Sequence, residues 1–327
     1  MPRTCISRKY SKTPRIAATL LAATLLLSAC APATAPGPTK PLFLTSIFPL
    51  AAVLSELAGD RAEVRAVAPP GASPHTFQAR PQDIKDAERA QALFLVGAQL
   101  DDWAERLPAS EHVAVFEMLP AAHQRKLCDA DCGTLIECSG HDHEHGHGHD
   151  HEHAHDHHDG DCDDYDPHFW LDPNAVAALL PVLTDKLVAL DPDGAAAYRR
   201  NAEQLALRLT ALDAELDATL APLAGTPLLQ LHPSAGYFFA RYDLECAGVV
   251  HVAPGRNPSS RELRDLTKLA TERKAQAVLA EPQLSDRAAQ VLARELDLPV
   301  LEFDPVGGAN GRTDYEGLLR YNARALG

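Results

Sequence analysis

Basic side chains are in short supply. The 327 residues carry 30 Lys and Arg against 45 Asp and Glu, a formal charge of −15 at pH 7. Five of the basic residues (Arg3, Arg8, Lys9, Lys12 and Arg15) and none of the acidic ones precede position 30, so removing that segment leaves 25 against 45, or −20. Such a surface repels phosphate backbones and anionic lipid headgroups; it argues against nucleic acid as a partner and attracts cations. Long apolar runs are also missing. Ile16–Ala29 carries no charge but is too short to cross a bilayer comfortably. No helical HExxH and no CxxC…CxxC spacing is present, so a metal site has to be assembled from distant loops. No recognisable motif supplies a separate general base, which puts a zinc hydrolase well behind a binding protein.

Histidine is abundant and unevenly placed. Ten of sixteen fall in one tract, at His141, His143, His145, His147, His149, His151, His153, His155, His157 and His158, mostly alternating with Asp, Glu and Gly. Such a tract cannot bury apolar surface and reads as a solvated loop. Neutral imidazoles are ligands for zinc, nickel and copper, and the interleaved carboxylates hold a divalent cation nearby. A purification tag would be terminal and uninterrupted; this tract is internal and rich in acids. Order returns at DPHFWLDP (166–173), where His168 stands alone among apolar residues. The chain thus reads as organised around a transition-metal ion, gathered by the tract and held in part by His168.

The basic start and the Ile16–Ala29 run have the features of a secretory signal peptide. Leu27-Ser28-Ala29-Cys30 is similar to a bacterial lipobox, which would make Cys30 the lipid attachment point, and residues 30–40 read as a Pro- and Gly-rich tether. An extracytoplasmic, membrane-anchored protein is expected. Cys128, Cys132, Cys138 and Cys162 flank the tract, and in an oxidising compartment pairing among these loop cysteines is the expectation, with a thiolate metal site as the alternative. Cys246 falls in an apolar run of the second half.

From Pro41 onward, short apolar runs alternate with helical spacing. Strands are predicted over 41–46, 62–68, 92–96, 227–231, 244–250, 275–280 and 298–303, with helices over 49–57, 82–90, 174–190 and 261–271. Residues 194–220 form one long amphipathic helix with Tyr198, Leu205, Leu209, Leu212, Leu216 and Leu220 as its stripe, and Asp191-Pro192 reads as its N-cap and first position. The fold class is α/β: two lobes (41–173 and 223–327), each a mainly parallel sheet flanked by helices, joined by linker helices (174–222) that include one long rigid strut. The His-rich loop, 141–165, belongs to the first lobe.

In parallel sheets, ligands bind beyond the carboxyl ends of the strands. His75 lies in the loop after the second strand, and three strands of the second half end on His232, Glu281 and Asp304. Three imidazoles (His75, His168, His232) and a carboxylate, Asp304 or Glu281, satisfy tetrahedral zinc. His112, His123 and His251 have no such context and read as surface residues.

Four stretches resemble the substrate-binding proteins of bacterial zinc and manganese ABC importers. PPGASPHTFQARPQD (69–83), DPHFWLDP (166–173), HPSAGYFFARYDL (232–244) and EPQLSDRAAQVLARELDLPVLEFDPVGG (281–308) are similar to that family's four ligand regions, and a His-rich loop ahead of the second is typical of its zinc members. Pro233 and Asn257 depart from residues common in relatives. The resemblance implies His75, His168 and His232 as ligands with Asp304 as the fourth, Zn2+ as the transported ion, and a membrane permease as the partner of a monomeric carrier. Manganese-selective relatives tend to carry Glu at the third position, and harder oxygen ligands suit manganese, so His232 moves the site toward zinc. The alternatives are a broader divalent-metal protein taking Mn, Cd or Ni, and a metal buffer or sensor whose main binder is the tract.

Overall fold

The computed structural model describes residues 40–127, 164–249 and 258–327. The leader, the tether but for Lys40, Cys30, the histidine tract with its four flanking cysteines, His251 and Asn257 lie outside the described residues.

Four short parallel strands make the first sheet: β1 (Leu42–Thr45), β2 (Glu63–Ala66), β3 (Ala92–Leu95) and β4 (His112–Ala114), in the order β2-β1-β3-β4. The second sheet repeats that order as β6-β5-β7-β8, from β5 (Pro227–Gln230), β6 (Glu245–Val249), β7 (Ala277–Ala280) and β8 (Val300–Glu302). β4 is three residues long and carries exposed His112, too little alternation for the sequence to single it out. In each sheet the strand order reverses at the central pair, so the loops after β1 and β3, and after β5 and β7, open at the switch point where parallel sheets hold ligands.

The two-residue period of the strands divides the core. Phe43 and Phe94 face the largest cluster, while Leu42, Leu44, Leu93 and Leu95 face a smaller one with Ala87 of helix α2 (Pro81–Arg89). In the second sheet Leu228, Ala277 and Leu279 face inward. Leu229 and Val278 face out, toward α7 (Ser260–Glu272) and α8 (Arg287–Leu296). The shared inner layer is helical: α1 (Phe48–Ala58), α4 (Pro173–Leu190), α5 (Ala195–Leu220) and α9 (Tyr315–Leu326). The short helices α3 (Val115–Met118) and α6 (Gly236–Arg241) complete the described elements. Residues 40–327 form one compact unit.

Helix α5 buries the six residues of its expected stripe, and its 26 residues reach about 39 Å. Polar contacts bind it to both halves. Arg208 donates to Glu56 of α1 at 2.6 Å and to Glu316 of α9 at 2.9 Å, and the Asn201 amide donates to the Leu57 carbonyl at 2.9 Å. Its start differs from expectation. Pro192–Gly194 forms a 3-10 turn, and the Asp191 carboxylate, instead of capping the helix, accepts from Arg61 at 2.9 Å and from the Tyr198 hydroxyl at 2.6 Å. A side-chain partner carrying a charge outcompetes a backbone N–H for that carboxylate.

The described segments on either side of residues 128–163 meet, because Lys126 and Tyr165 form an antiparallel bridge. The flanking Leu127 N–H to Asp164 carbonyl (2.9 Å) and Asp166 N–H to Arg125 carbonyl (2.9 Å) bonds close that base. The tract's own structure lies outside the described residues, but its base is pinned two residues from His168. Cys246 in β6 takes part in a disulfide. It is the only cysteine among the described residues, so its partner lies outside them, and pairing is not confined to the cysteines around the tract.

Candidate metal centre

Three separate segments deliver one histidine each. His75 is half-buried in the loop after β2, between two anchors. Trp103 donates its indole N–H to the Pro74 carbonyl at 2.8 Å, and the Phe77 and Trp103 rings meet edge-on with centroids 4.7 Å apart. Two prolines ahead of the loop and these contacts behind it leave the imidazole little freedom.

His168 is buried, 3% exposed, just after the bridge that closes the tract. Its Nδ1 lies 2.8 Å from Oδ1 of Asp166, which also accepts the His168 backbone N–H at 2.9 Å. Helix α6 starts against that carboxylate. A Cβ added at Gly236 would meet Asp166 Oδ2 at 2.6 Å, so only glycine admits the approach. Fully buried Trp170 donates to the Pro305 carbonyl at 2.7 Å and its own carbonyl accepts the Tyr315 hydroxyl at 2.6 Å, which ties this segment to the second half.

His232 follows β5, and Glu281 follows its neighbour β7, so strand order alone sets them side by side. Nδ1 of His232 lies 3.1 Å from Glu281 Oε1, which also accepts the Ser234 hydroxyl at 2.7 Å. Burial pushes the His232 pKa down, but the Glu281 carboxylate facing it, helped by Asp166, outweighs that and raises it above the usual histidine value.

One ligand atom from each of His75, His168 and His232 lies within 4.8 Å of the others, and the ring centroids are 4.9 to 5.8 Å apart. Around a tetrahedral zinc with bonds of about 2.1 Å, donor atoms sit roughly 3.4 Å apart, so the set needs little movement to close on one ion. Carboxylates on Nδ1 of His168 and His232 fix the tautomer that leaves the opposite nitrogen as an electron-pair donor.

Asp304 is not brought into this group. It is 1% exposed, and its Oδ1 accepts the Gln283 amide at 2.7 Å, the Val306 N–H at 3.0 Å and the Gly307 N–H at 2.9 Å. Oδ2 lies 2.6 Å from Nε of Arg312. A carboxylate so used has little lone-pair capacity left for an ion. Glu281 likewise serves His232 rather than joining the cluster. Asp166, Ser234, Gln283 and Arg312 escaped the sequence reading. Asp166 stands two residues before His168 and Gln283 two after Glu281, but no periodicity marks either. Of the histidines read as surface residues, His112 is exposed and His123 half-buried.

The model of the family described as ZnuA, zinc-uptake complex component A, periplasmic, matches residues 44–327. The chain belongs to the ZnuA family. The high-affinity zinc uptake system protein ZnuA of Paracoccus denitrificans is similar over 313 residues at 33% identity, covering 92% of this chain and 96% of that one. Among solved structures, a ZnuA crystal structure superposes with a TM-score of 0.69 at 24% identity, over 88% of this chain and 98% of that one. The periplasmic zinc-binding protein TroA from Treponema pallidum does so with 0.69 at 19%, again over 88% and 98%. These two likenesses establish the ZnuA-type fold, two parallel sheets flanked by helices about one long helix.

Proposed function

We propose that this chain captures one zinc ion outside the cytoplasm, holds it with His75, His168 and His232, and delivers it to the permease of an ABC-type importer. The observation that carries the reading is the meeting of three imidazoles from three distant segments at one point, two of them oriented by carboxylates. Three neutral nitrogen donors suit zinc better than manganese. The description of the family and the name of the Paracoccus relative agree with that choice. The expected domains stand as part of the proposal: a leader of 1–29, a lipid on Cys30, a tether to residue 40, lobes of 41–173 and 223–327, and linker helices of 174–222.

In this mechanism the histidine tract binds zinc loosely and raises its concentration at the rim of the site, where the Lys126–Tyr165 bridge roots the tract beside His168. The ion then passes to the three imidazoles. Because the ligands come from both halves and α5 is bonded to both, filling the site draws loops inward instead of swinging the halves apart.

Titration calorimetry with zinc and manganese on protein from Ala31 onward, beside the His75→Ala/His168→Ala double variant, tests this. One tight zinc site is expected in the parent and only weak tract sites in the variant. Equal tight binding by both proteins would move the functional site to the tract and favour the buffer reading.

A further inference from the structure

Gln283 is a polar side chain at the site whose position has no purpose in the three-histidine account. It lines the same small cavity as His75, His168 and His232. Its amide nitrogen donates to Asp304 at 2.7 Å, while its carbonyl oxygen, Oε1, is shut off from solvent and has no hydrogen-bond partner. A buried carbonyl left without a donor is destabilising, so natural proteins leave few of them without a use.

The orientation of that amide is fixed by chemistry. The Asp304 oxygen that meets Gln283 already accepts the Val306 and Gly307 N–H groups, so the NH2 end of Gln283 faces Asp304 and the C=O end faces away. Asp304 is held in place by Arg312, whose Nε lies 2.6 Å from Oδ2, and by the Val306 and Gly307 N–H groups on Oδ1. The chain Arg312–Asp304–Gln283 therefore fixes an amide beside the imidazole cavity and leaves its oxygen without a partner.

We propose that Oε1 of Gln283 is the fourth donor to the ion, in the place where Asp304 was expected. The proposal rests on the three-imidazole reading above. Space supports direct contact. The free space in the cavity is about 10 Å³, the size of one water. The Pro305 carbonyl already accepts from Trp170, and Glu281 Oε1 accepts from Ser234 and faces His232 Nδ1. A three-imidazole, one-amide set carries no negative charge of its own. It leaves the ion's full double charge in place, and release to a negatively charged acceptor is then easier than from a carboxylate-completed site.

The test compares wild-type protein with Gln283→Leu and Gln283→Met, each checked for folding by its metal-free melting curve. Zinc affinity is measured by chelator competition, and the site is reported by the visible absorption of bound cobalt. The inference expects at least about a tenfold weaker zinc affinity and an altered cobalt spectrum. An affinity within twofold of wild type, or an unchanged cobalt spectrum, overturns it. A crystal structure of zinc-loaded wild type decides independently of any variant: Oε1 within about 2.2 Å of the ion supports the inference, and a water in that position overturns it. His168→Ala run in parallel separates the two readings. If it keeps tight zinc, the three-imidazole site itself fails; if it loses zinc while the Gln283 variants do not, only this inference fails.

Discussion

His232 has to lose a proton before it can take an ion, and Glu281 makes that loss harder. Zinc needs the neutral imidazole. Burial alone would favour the neutral form, but the carboxylate 3.1 Å away raises the pKa above its usual value, so at pH 7 more of this histidine is protonated than of a free one. Zinc affinity should therefore fall with pH from a higher starting point than an isolated histidine would show, and binding at pH 7 should release protons. Glu281→Gln removes the cause. Its proton release should drop, while the loss of orientation should weaken zinc binding about 10–100-fold. Calorimetry in buffers of different ionisation heat measures both quantities; equal proton release by the two proteins would show that Glu281 is not what holds the proton. His168 is built on the same plan with Asp166, and the glycine at 236 exists to let that carboxylate in.

Among the elements, α5 does most to determine what can move. Six buried side chains and the Arg208 and Asn201 bonds hold it against α1 and α9, one from each half. Leu212 is fully buried in the shared core. Leu212→Ala should cost about 2–5 kcal/mol of unfolding free energy in urea, as cavity-forming substitutions in well-packed cores do. A loss below about 1 kcal/mol would mean that the helix packs loosely and does not act as a strut. The strands show the same economy: each is only three to five residues long, yet in β1, β3, β5 and β7 alternate residues feed two different cores.

At the scale of the whole molecule, the described residues form one unit in which the loops near the ion also join the halves. Gly308, at φ +85°, shows how closely they approach: a Cβ there would meet Phe48 Cγ at 3.1 Å and Pro70 Cγ at 3.2 Å. With α5 bonded to both sides, zinc binding should produce small tilts and rearrangement of the loops at 69–77 and 305–311, with little change in the radius of gyration. Metal-free and zinc-bound crystal structures, supported by solution scattering, test this. Superposable structures with the loops included would show that the site is preformed, and a wide opening would show that α5 bends.

Local order was legible in the amino-acid sequence because it depends on local spacing. Alternating apolar runs marked most strands, the stripe from Tyr198 to Leu220 marked α5 residue by residue, and the surrounding loop motifs marked His75, His168 and His232. What the sequence did not contain was the allocation of polar partners. Asp304, Glu281 and Asp191 each read as free carboxylates with a conventional role, as ligand, alternative ligand and helix cap. Folding gave them Arg312 and Gln283, His232 and Ser234, and Arg61 and Tyr198. Each of those pairings competes with the role the local pattern suggests, and most reach across long stretches of chain. Only the packed molecule brings the competitors together, so tertiary structure alone decides which partner wins.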